Sequence, residues 1–229
     1  MISRFDPALL PPAPDLGIEL PLWQAGVCAV AGIDEVGRGA VAGPITAAGV
    51  LCTARVLDTP WIDRVRDSKK LSARVREMVA DGVVAAHIPH YISSVSCRVI
   101  DERGIEGAWR IAVTDVIYQC RGAGWCDFIL IDGPRCPVCH RFDLEVPWRA
   151  AVHGDDRHFS ISLASIIAKV DRDRQMREYH LEWPAYNFAG NKGYLTEAHT
   201  QALELYGMSP LHRRNWVAVM RAVWPHRER

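Results

Sequence analysis

An apolar run, Val27-Cys28-Ala29-Val30-Ala31-Gly32-Ile33, ends directly on two carboxylates, Asp34-Glu35, followed by Val36-Gly37-Arg38-Gly39. A run of that kind reads as a buried strand. Burying an unpaired carboxylate is costly, and two side by side repel each other. A cation between them removes both penalties. The glycines flanking Arg38 let a ligand approach the main chain closely. Paired acids, close backbone approach and an arginine together suggest chemistry on a phosphate. Taken alone, an Asp-Glu pair is more often an ordinary polar turn at a strand end, so the rest of the chain decides.

At 229 residues, 49% hydrophobic and 24% charged, the chain is large enough for one sizeable core. Its formal net charge is +0. There is thus no global basic field for nucleic acid, and a phosphate-binding surface has to be local. Arg38, Lys69, Lys70, Lys169, Arg172, Lys192, Arg213 and Arg214 are the cations available for one. No apolar stretch is long enough to span a membrane, and the proline-punctuated start lacks the pattern of a secretory signal. Seven cysteines without framework spacing fit a reducing cytoplasm.

Residues 1–25 read as an irregular extension, with the domain proper over 27–224 and an extension boundary at 26. Strands are expected over Val27 to Asp34, Ile45 to Cys52, Tyr91 to Val95, Phe128 to Ile131 and Arg149 to Val152. The short link through Ala42-Gly43-Pro44 predicts a hairpin between the first two. Thr53 to Lys70 reads as a loop with a helical turn near Trp61 to Arg66. Ser72 opens a helix with Val75, Met78, Val79 and Val83 inward. Further helices are expected over Glu106 to Cys120, with Ile111, Val113 and Ile117 on the apolar side, and over Ile161 to Tyr179, Thr196 to Tyr206 and Asn215 to Val223. Strands interleaved with helices, then a helical run from about 160, indicate an α/β sheet core with a helical C-terminal part.

Three apolar strands end on acids: Asp34-Glu35, Asp132 before Gly133, and Asp155 after Gly154. Sites in open α/β sheets lie outside strand ends. Four carboxylates gathered at one edge cannot all ionise without cations. Mg2+ takes oxygen ligands and suits phosphate chemistry, and two ions roughly 3.5–4 Å apart can hold the attacking and leaving oxygens of an in-line displacement. Successive strand side chains point to opposite faces, so the strand is expected to end or bend at Glu35 if both acids serve one site.

These residues carry a family resemblance. Asp34-Glu35-Val36-Gly37-Arg38-Gly39 with Ala42-Gly43-Pro44 closely resembles the opening motif of ribonuclease HII. So do Asp67-Ser68-Lys69-Lys70-Leu71-Ser72, Ile131-Asp132-Gly133, Gly154-Asp155, Ala164-Ser165-Ile166-Ile167-Ala168-Lys169-Val170 with Arg172-Asp173, Lys192-Gly193-Tyr194, His199 and His212-Arg213-Arg214. The resemblance implies a ribonuclease H-like mixed sheet flanked by helices. It implies an endoribonuclease that cleaves RNA in RNA–DNA hybrids, and ribonucleotides embedded in duplex DNA on their 5′ side, leaving 5′-phosphate and 3′-hydroxyl ends. Two Mg2+ or Mn2+ ions would be held by Asp34, Glu35, Asp132 and Asp155, with Asp156 left aside because the family pattern is Gly-Asp. Gly37, Arg38 and Gly39 would contact the 2′-OH, the group that separates RNA from DNA, and Tyr194 would sit at the RNA–DNA junction. The enzyme is expected to be a cytoplasmic monomer without membrane contact.

Each substrate role has a plainer counterpart. Arg38 alone suggests a surface salt bridge, and Tyr194 alone suggests core packing. Ser68 and Lys69 either cap the helix opening at Ser72 or hold a phosphate. Lys169 shares a helix face with Ser165 and is either solvated or a substrate contact. Ala40, Gly104 and Asn191 stand where the family usually has proline, asparagine and histidine. Cys136-Pro137-Val138-Cys139-His140 has haem-attachment spacing. Without an export signal or a second cysteine pair, it is read as an incidental loop with free thiols. The rivals are a ribonuclease HIII-type enzyme, disfavoured by Arg38 in place of lysine, and a hybrid-binding module without catalysis, disfavoured by the four acids.

Overall fold

The computed structural model describes residues 13–136 and 146–223. Five strands, β1 (Val30–Val36), β2 (Ile45–Cys52), β3 (His90–Val95), β4 (Phe128–Asp132) and β5 (Trp148–Ala151), form one sheet in the order β3-β2-β1-β4-β5. β1 pairs antiparallel with β2, as the short link predicts, and β2 pairs antiparallel with β3. β4 lies parallel to both β1 and β5. The chain reaches β4 through α3 (Cys97–Gly122), which crosses one face of the sheet.

β1 is buried on both faces, its side chains alternating between them. Ala29, Ala31 and Ile33 pack with Val113, Val116 and Ile117 of α3. On the opposite face, α5 (Phe159–Glu182) and α2 (Ala73–Ala85) cover Ala48, Val50 and Cys52 of β2. Gly32 permits the closest contact: a Cβ there would lie 2.1 Å from the Ser160 carbonyl, so the start of α5 rests directly on β1. α4 (Gly154–Arg157) is a single turn between β5 and α5. α6 (Phe188–Asn191), α7 (Glu197–Tyr206) and α8 (Val217–Val223) complete the helical C-terminal part, around Phe188, Leu203 and Val219.

Several boundaries differ from the sequence reading. The expected irregular N-terminus contains a helix, α1 (Glu19–Gln24), whose Leu22 and Trp23 pack on the sheet domain; residues 1–12 lie outside the described residues. β1 begins at Val30 rather than Val27 and continues through Val36. Thr53 to Lys70 holds three short 3-10 turns, one of them Ile62–Arg64 inside the expected helical turn. Ser72 does cap α2, its Oγ accepting from Val75 N, but Met78 is exposed, because the buried stripe is the narrow set Val79, Ala80 and Val83. α3 begins at Cys97, capped by Ser96, and is interrupted at Gly104 (φ 71°). The helical pattern beginning at Glu106 is therefore only its second segment, and Ile111 is exposed there. Val152 lies beyond β5 and is exposed. Cys136 is buried and disulfide-bonded, which corrects the free-thiol reading for it; Cys139 and His140 lie outside the described residues.

Candidate active site

β4 ends at Asp132, and its ladder with β1 runs only as far as Ile33↔Ile131. β1 continues three residues further, through Val36, in pairing with β2. Asp34 and Glu35 therefore lie beyond the last rung shared with β4. The strand neither ends nor bends at Glu35, contrary to the expectation. Asp34 takes the α5 side and Glu35 the α3 side, where Trp109 and Arg38 neighbour it. Asp132 affects both, since past the end of β4 no strand separates the two faces. Asp155 arrives from the far side, on α4 just after β5, and Gly154 N donates to Asp132 Oδ1 at 2.7 Å.

Their electrostatics are those of crowded anions. Burial, then Asp132, Glu35 and Asp155, push the Asp34 carboxyl well above the carboxylate range, although its Oδ1 accepts from Glu35 N at 2.7 Å. Burial and then Asp155 raise Asp132. Burial also raises Glu35, against the pull of Trp109 and Arg38. One cation already answers: Lys69 Nζ donates to Asp155 Oδ2 at 2.9 Å and lies 3.7 Å from Asp67 Oδ1. Asp156 is turned to Lys70 instead. The set is oxygen-only, anionic and mutually repelling, which fits a hard divalent cation. Among the described residues no group of three or more acids, histidines or cysteines is preformed to hold a metal ion. Asp34 and Asp132 each commit an oxygen to a main-chain N–H, and Asp155 commits one to Lys69.

The candidate substrate residues separate into two groups. Ser68 and Ser165 are buried and bonded to each other, Oγ to Oγ at 2.7 Å, while Arg76 grips the Ser68 and Leu71 carbonyls. Lys169 Nζ donates to Asp173 Oδ1 at 2.6 Å, with Arg76 on the other carboxylate oxygen at 3.6 Å. The second group borders the acids. Arg38 is half-exposed, lies 5.3 Å above the Trp109 ring, and reaches Glu106 and Glu35 at 3.3 and 3.7 Å. Tyr194 is exposed, and the chain just before it is tied to the loop 37–44: Val41 N and Ala42 N both donate to Gly193 O.

Such a sheet, with an acid edge at the ends of β1 and β4, has known relatives. The model of the family "Ribonuclease HII" matches residues 31–219. The chain belongs to the ribonuclease HII family. It is 41% identical over 209 residues to ribonuclease HII of Chloroflexus aggregans, covering 91% of this chain and 95% of that one. It is 40% identical over 199 residues to that of Caldanaerobacter subterraneus subsp. tengcongensis, covering 87% and 78%. Among solved structures, ribonuclease H2 of Pyrococcus horikoshii OT3 shares the fold with a TM-score of 0.68 at 23% identity, over 88% of this chain and 100% of that one. A Mn2+ complex of Bst-RNase HIII has a TM-score of 0.66 at 18% identity, over 92% and 74%. Membership in the ribonuclease HII family makes the chain a metal-dependent ribonuclease H, an endonucleolytic hydrolase.

Sequence reasoning missed two features of this ribonuclease site. Arg172 and Arg213, counted among surface cations for phosphate, are fully buried and hold main-chain carbonyls. A histidine relay also stands behind Tyr194. Ser209 N donates to His212 Nδ1 at 2.9 Å, which leaves the His212 proton on Nε2. Nε2–H then donates to His199 Nε2 at 2.9 Å, and His199 Nδ1–H donates to the Tyr194 carbonyl at 2.9 Å. Burial, then the neighbouring His199, pushes His212 down to about 4, and burial lowers His199 as well. Both rings are thereby kept neutral. Their motif positions were visible in the sequence; that they touch was not.

Proposed function

We propose that the enzyme hydrolyses the RNA strand of RNA–DNA hybrids and the phosphodiester on the 5′ side of ribonucleotides embedded in duplex DNA. Residues 27–224 form the catalytic unit, with α1 packed on it. Asp34, Glu35, Asp132 and Asp155 would hold two Mg2+ or Mn2+ ions. When bound, these supply activation of the attacking water and charge neutralisation at the leaving 3′-oxygen. The main chain of Gly37, Arg38 and Gly39 contacts the 2′-OH, and the Tyr194 ring stacks on the adjoining deoxyribose. Lys69, now paired with Asp155, and Lys169, now paired with Asp173, would contact strand phosphates.

The observation that carries this reading is the convergence, past the end of β4, of repelling carboxylates beside a glycine loop and an exposed tyrosine. The test is a duplex DNA carrying one ribonucleotide, incubated with and without Mg2+. Cleavage 5′ to the ribonucleotide with a 3′-hydroxyl on the upstream product is expected only with the metal. An intact duplex under both conditions would leave a binding module as the better reading.

A further inference from the structure

The loop 37–44 has an unusual polarity. Its carbonyls are gripped from inside by two guanidinium groups that are 0% exposed. Arg172 donates from Nε to Pro44 O at 2.9 Å and from Nη2 to Ala42 O at 3.2 Å. Arg213 donates from Nη2 to Gly37 O at 2.6 Å, from Nη1 to Arg38 O at 2.9 Å and from Nε to Gly43 O at 3.2 Å. Arg213 N takes the Val41 carbonyl as well. Among the described residues neither arginine forms an ion pair with a carboxylate, and burial with mutual repulsion lowers Arg213 to about 10. Two buried cations with no carboxylate in contact are a costly arrangement. What they achieve is hydrogen bonding to a row of loop carbonyls, one of which, Gly37 O, also accepts from Ala40 N at 3.4 Å.

The donors of the same loop are left over. Among the described residues, the N–H groups of Gly37, Arg38 and Gly39 meet no acceptor, and Arg38 and Gly39 are exposed. The two glycines have different reasons to be glycine. Gly37 has φ +91°, and a Cβ there would lie 2.3 Å from Arg172 Nε; the clamp itself requires it. Gly39 has no positive φ, and a Cβ there would meet nothing within 4 Å; no constraint within the protein requires it. Arg172 also reaches the second reading element, donating from Nη1 to Lys192 O at 2.8 Å and lying 5.7 Å from the Tyr194 ring centroid.

We infer that Arg172 and Arg213 are positioning residues for sugar discrimination: they hold the carbonyls of loop 37–44 inward, turn its N–H groups to the ligand and set its spacing to Tyr194. This rests on the proposed reading of the 2′-OH by that loop. Arginine is needed because a lysine keeps the charge but cannot span several carbonyls with a rigid fork.

The test compares metal-free binding of a duplex DNA with one ribonucleotide against the same all-deoxy duplex, by fluorescence anisotropy. Arg213→Lys and Arg172→Lys should each lower the ribo-to-deoxy affinity ratio tenfold or more and raise KM more than they lower kcat, with Mn2+ binding by calorimetry within twofold of wild type. Gly39→Ala, sterically free in the unbound protein, tests the underlying reading. If Gly39→Ala abolishes discrimination while both lysine variants retain it within twofold, the positioning role is wrong and the loop reading stands. If Gly39→Ala is harmless, the loop reading itself fails. Should one lysine variant not fold, the other carries the same expectation. Equal weakening on both duplexes would mark the arginines as structural supports only.

Discussion

The two halves of the site bury charge of opposite sign and deal with it by opposite means. At the acid edge, Asp34, Glu35 and Asp132 repel one another, and their pKa values are raised. Relief is partial: Trp109 and Arg38 act on Glu35, and main-chain N–H groups on Asp34 and Asp132. In the loop 37–44 the buried charges are cations, and the chain's own carbonyls satisfy them. The first half is incomplete without a mobile cation from solution. The second is complete in the folded chain. On the proposed reading, chemistry is left to an exchangeable partner and recognition to fixed geometry, as preorganisation requires.

The largest effect that could break this contrast is at the acid edge. Asp132→Asn keeps size and removes charge, so cleavage should fall on the order of a thousandfold or more while hybrid binding persists. Activity within a few fold of wild type at limiting Mg2+ would remove Asp132 from the metal set. Asp155→Asn should match it. Asp156→Asn, whose carboxylate faces Lys70, should stay within a few fold. Equal losses at 155 and 156 would undo the choice between them.

Acid should act on the halves in opposite directions. Asp34, its pKa raised, is relieved by protonation, so in metal-free protein its repulsion is present at neutral pH and fades as pH falls through its raised pKa. His212 is depressed from 6.5 to about 4. Its neutral form therefore stabilises the fold fully above pH 6.5, and that contribution is lost between 6.5 and about 4, roughly 3 kcal/mol in all. Urea midpoints across that window should fall for wild type and be flatter for His212→Gln. Parallel curves would mean that His212 does not titrate there.

Tyr194→Ala sharpens the recognition half. Loss of an aromatic stack is worth about 1–3 kcal/mol, so the rate on a single-ribonucleotide duplex should drop about tenfold or more, with a smaller loss on a long hybrid rich in phosphate contacts. Equal losses would make Tyr194 a packing residue.

The smallest effect concerns α5, which serves both halves by following Asp155 and carrying Arg172. Its local cap residue, His158, makes no side-chain capping bond. The cap comes instead from Glu19 of α1, whose Oε1 accepts from Ser160 N at 2.9 Å and Ser160 Oγ at 2.7 Å. Glu19→Ala should cost about 1 kcal/mol of stability, and Glu19→Gln less, because burial already raises the Glu19 carboxyl towards its neutral form. No change in denaturant midpoint for Glu19→Ala would show that α1 docks through Leu22 and Trp23 alone.

Sheet, hairpin and acid edge were legible because they rest on local signals. An apolar run ending on an acid is a strand end whatever surrounds it, and β2, β3 and β4 lie close to their expected spans. Ser72 and Thr196 cap their helices in the same local way. Where the outcome depended on a distant partner, the residues alone were silent or misleading. Arg172 and Arg213 were counted among the cations for a phosphate surface because arginine is mostly exposed; only packing revealed that carbonyls more than a hundred positions away hold them. Glu19 read as part of a loose extension because Ser160, its partner, is 141 residues on. The puzzle of two adjacent acids in one strand had no local answer either, since the answer is the length of β4, which stops early enough for both faces to open onto one edge. Sequence alone determined which groups carry charge and which segments are apolar, because those are properties of single residues and short windows. The tertiary structure decided which charges are buried, against what, and facing which way, because burial and hydrogen bonding depend on segments brought together only by the fold.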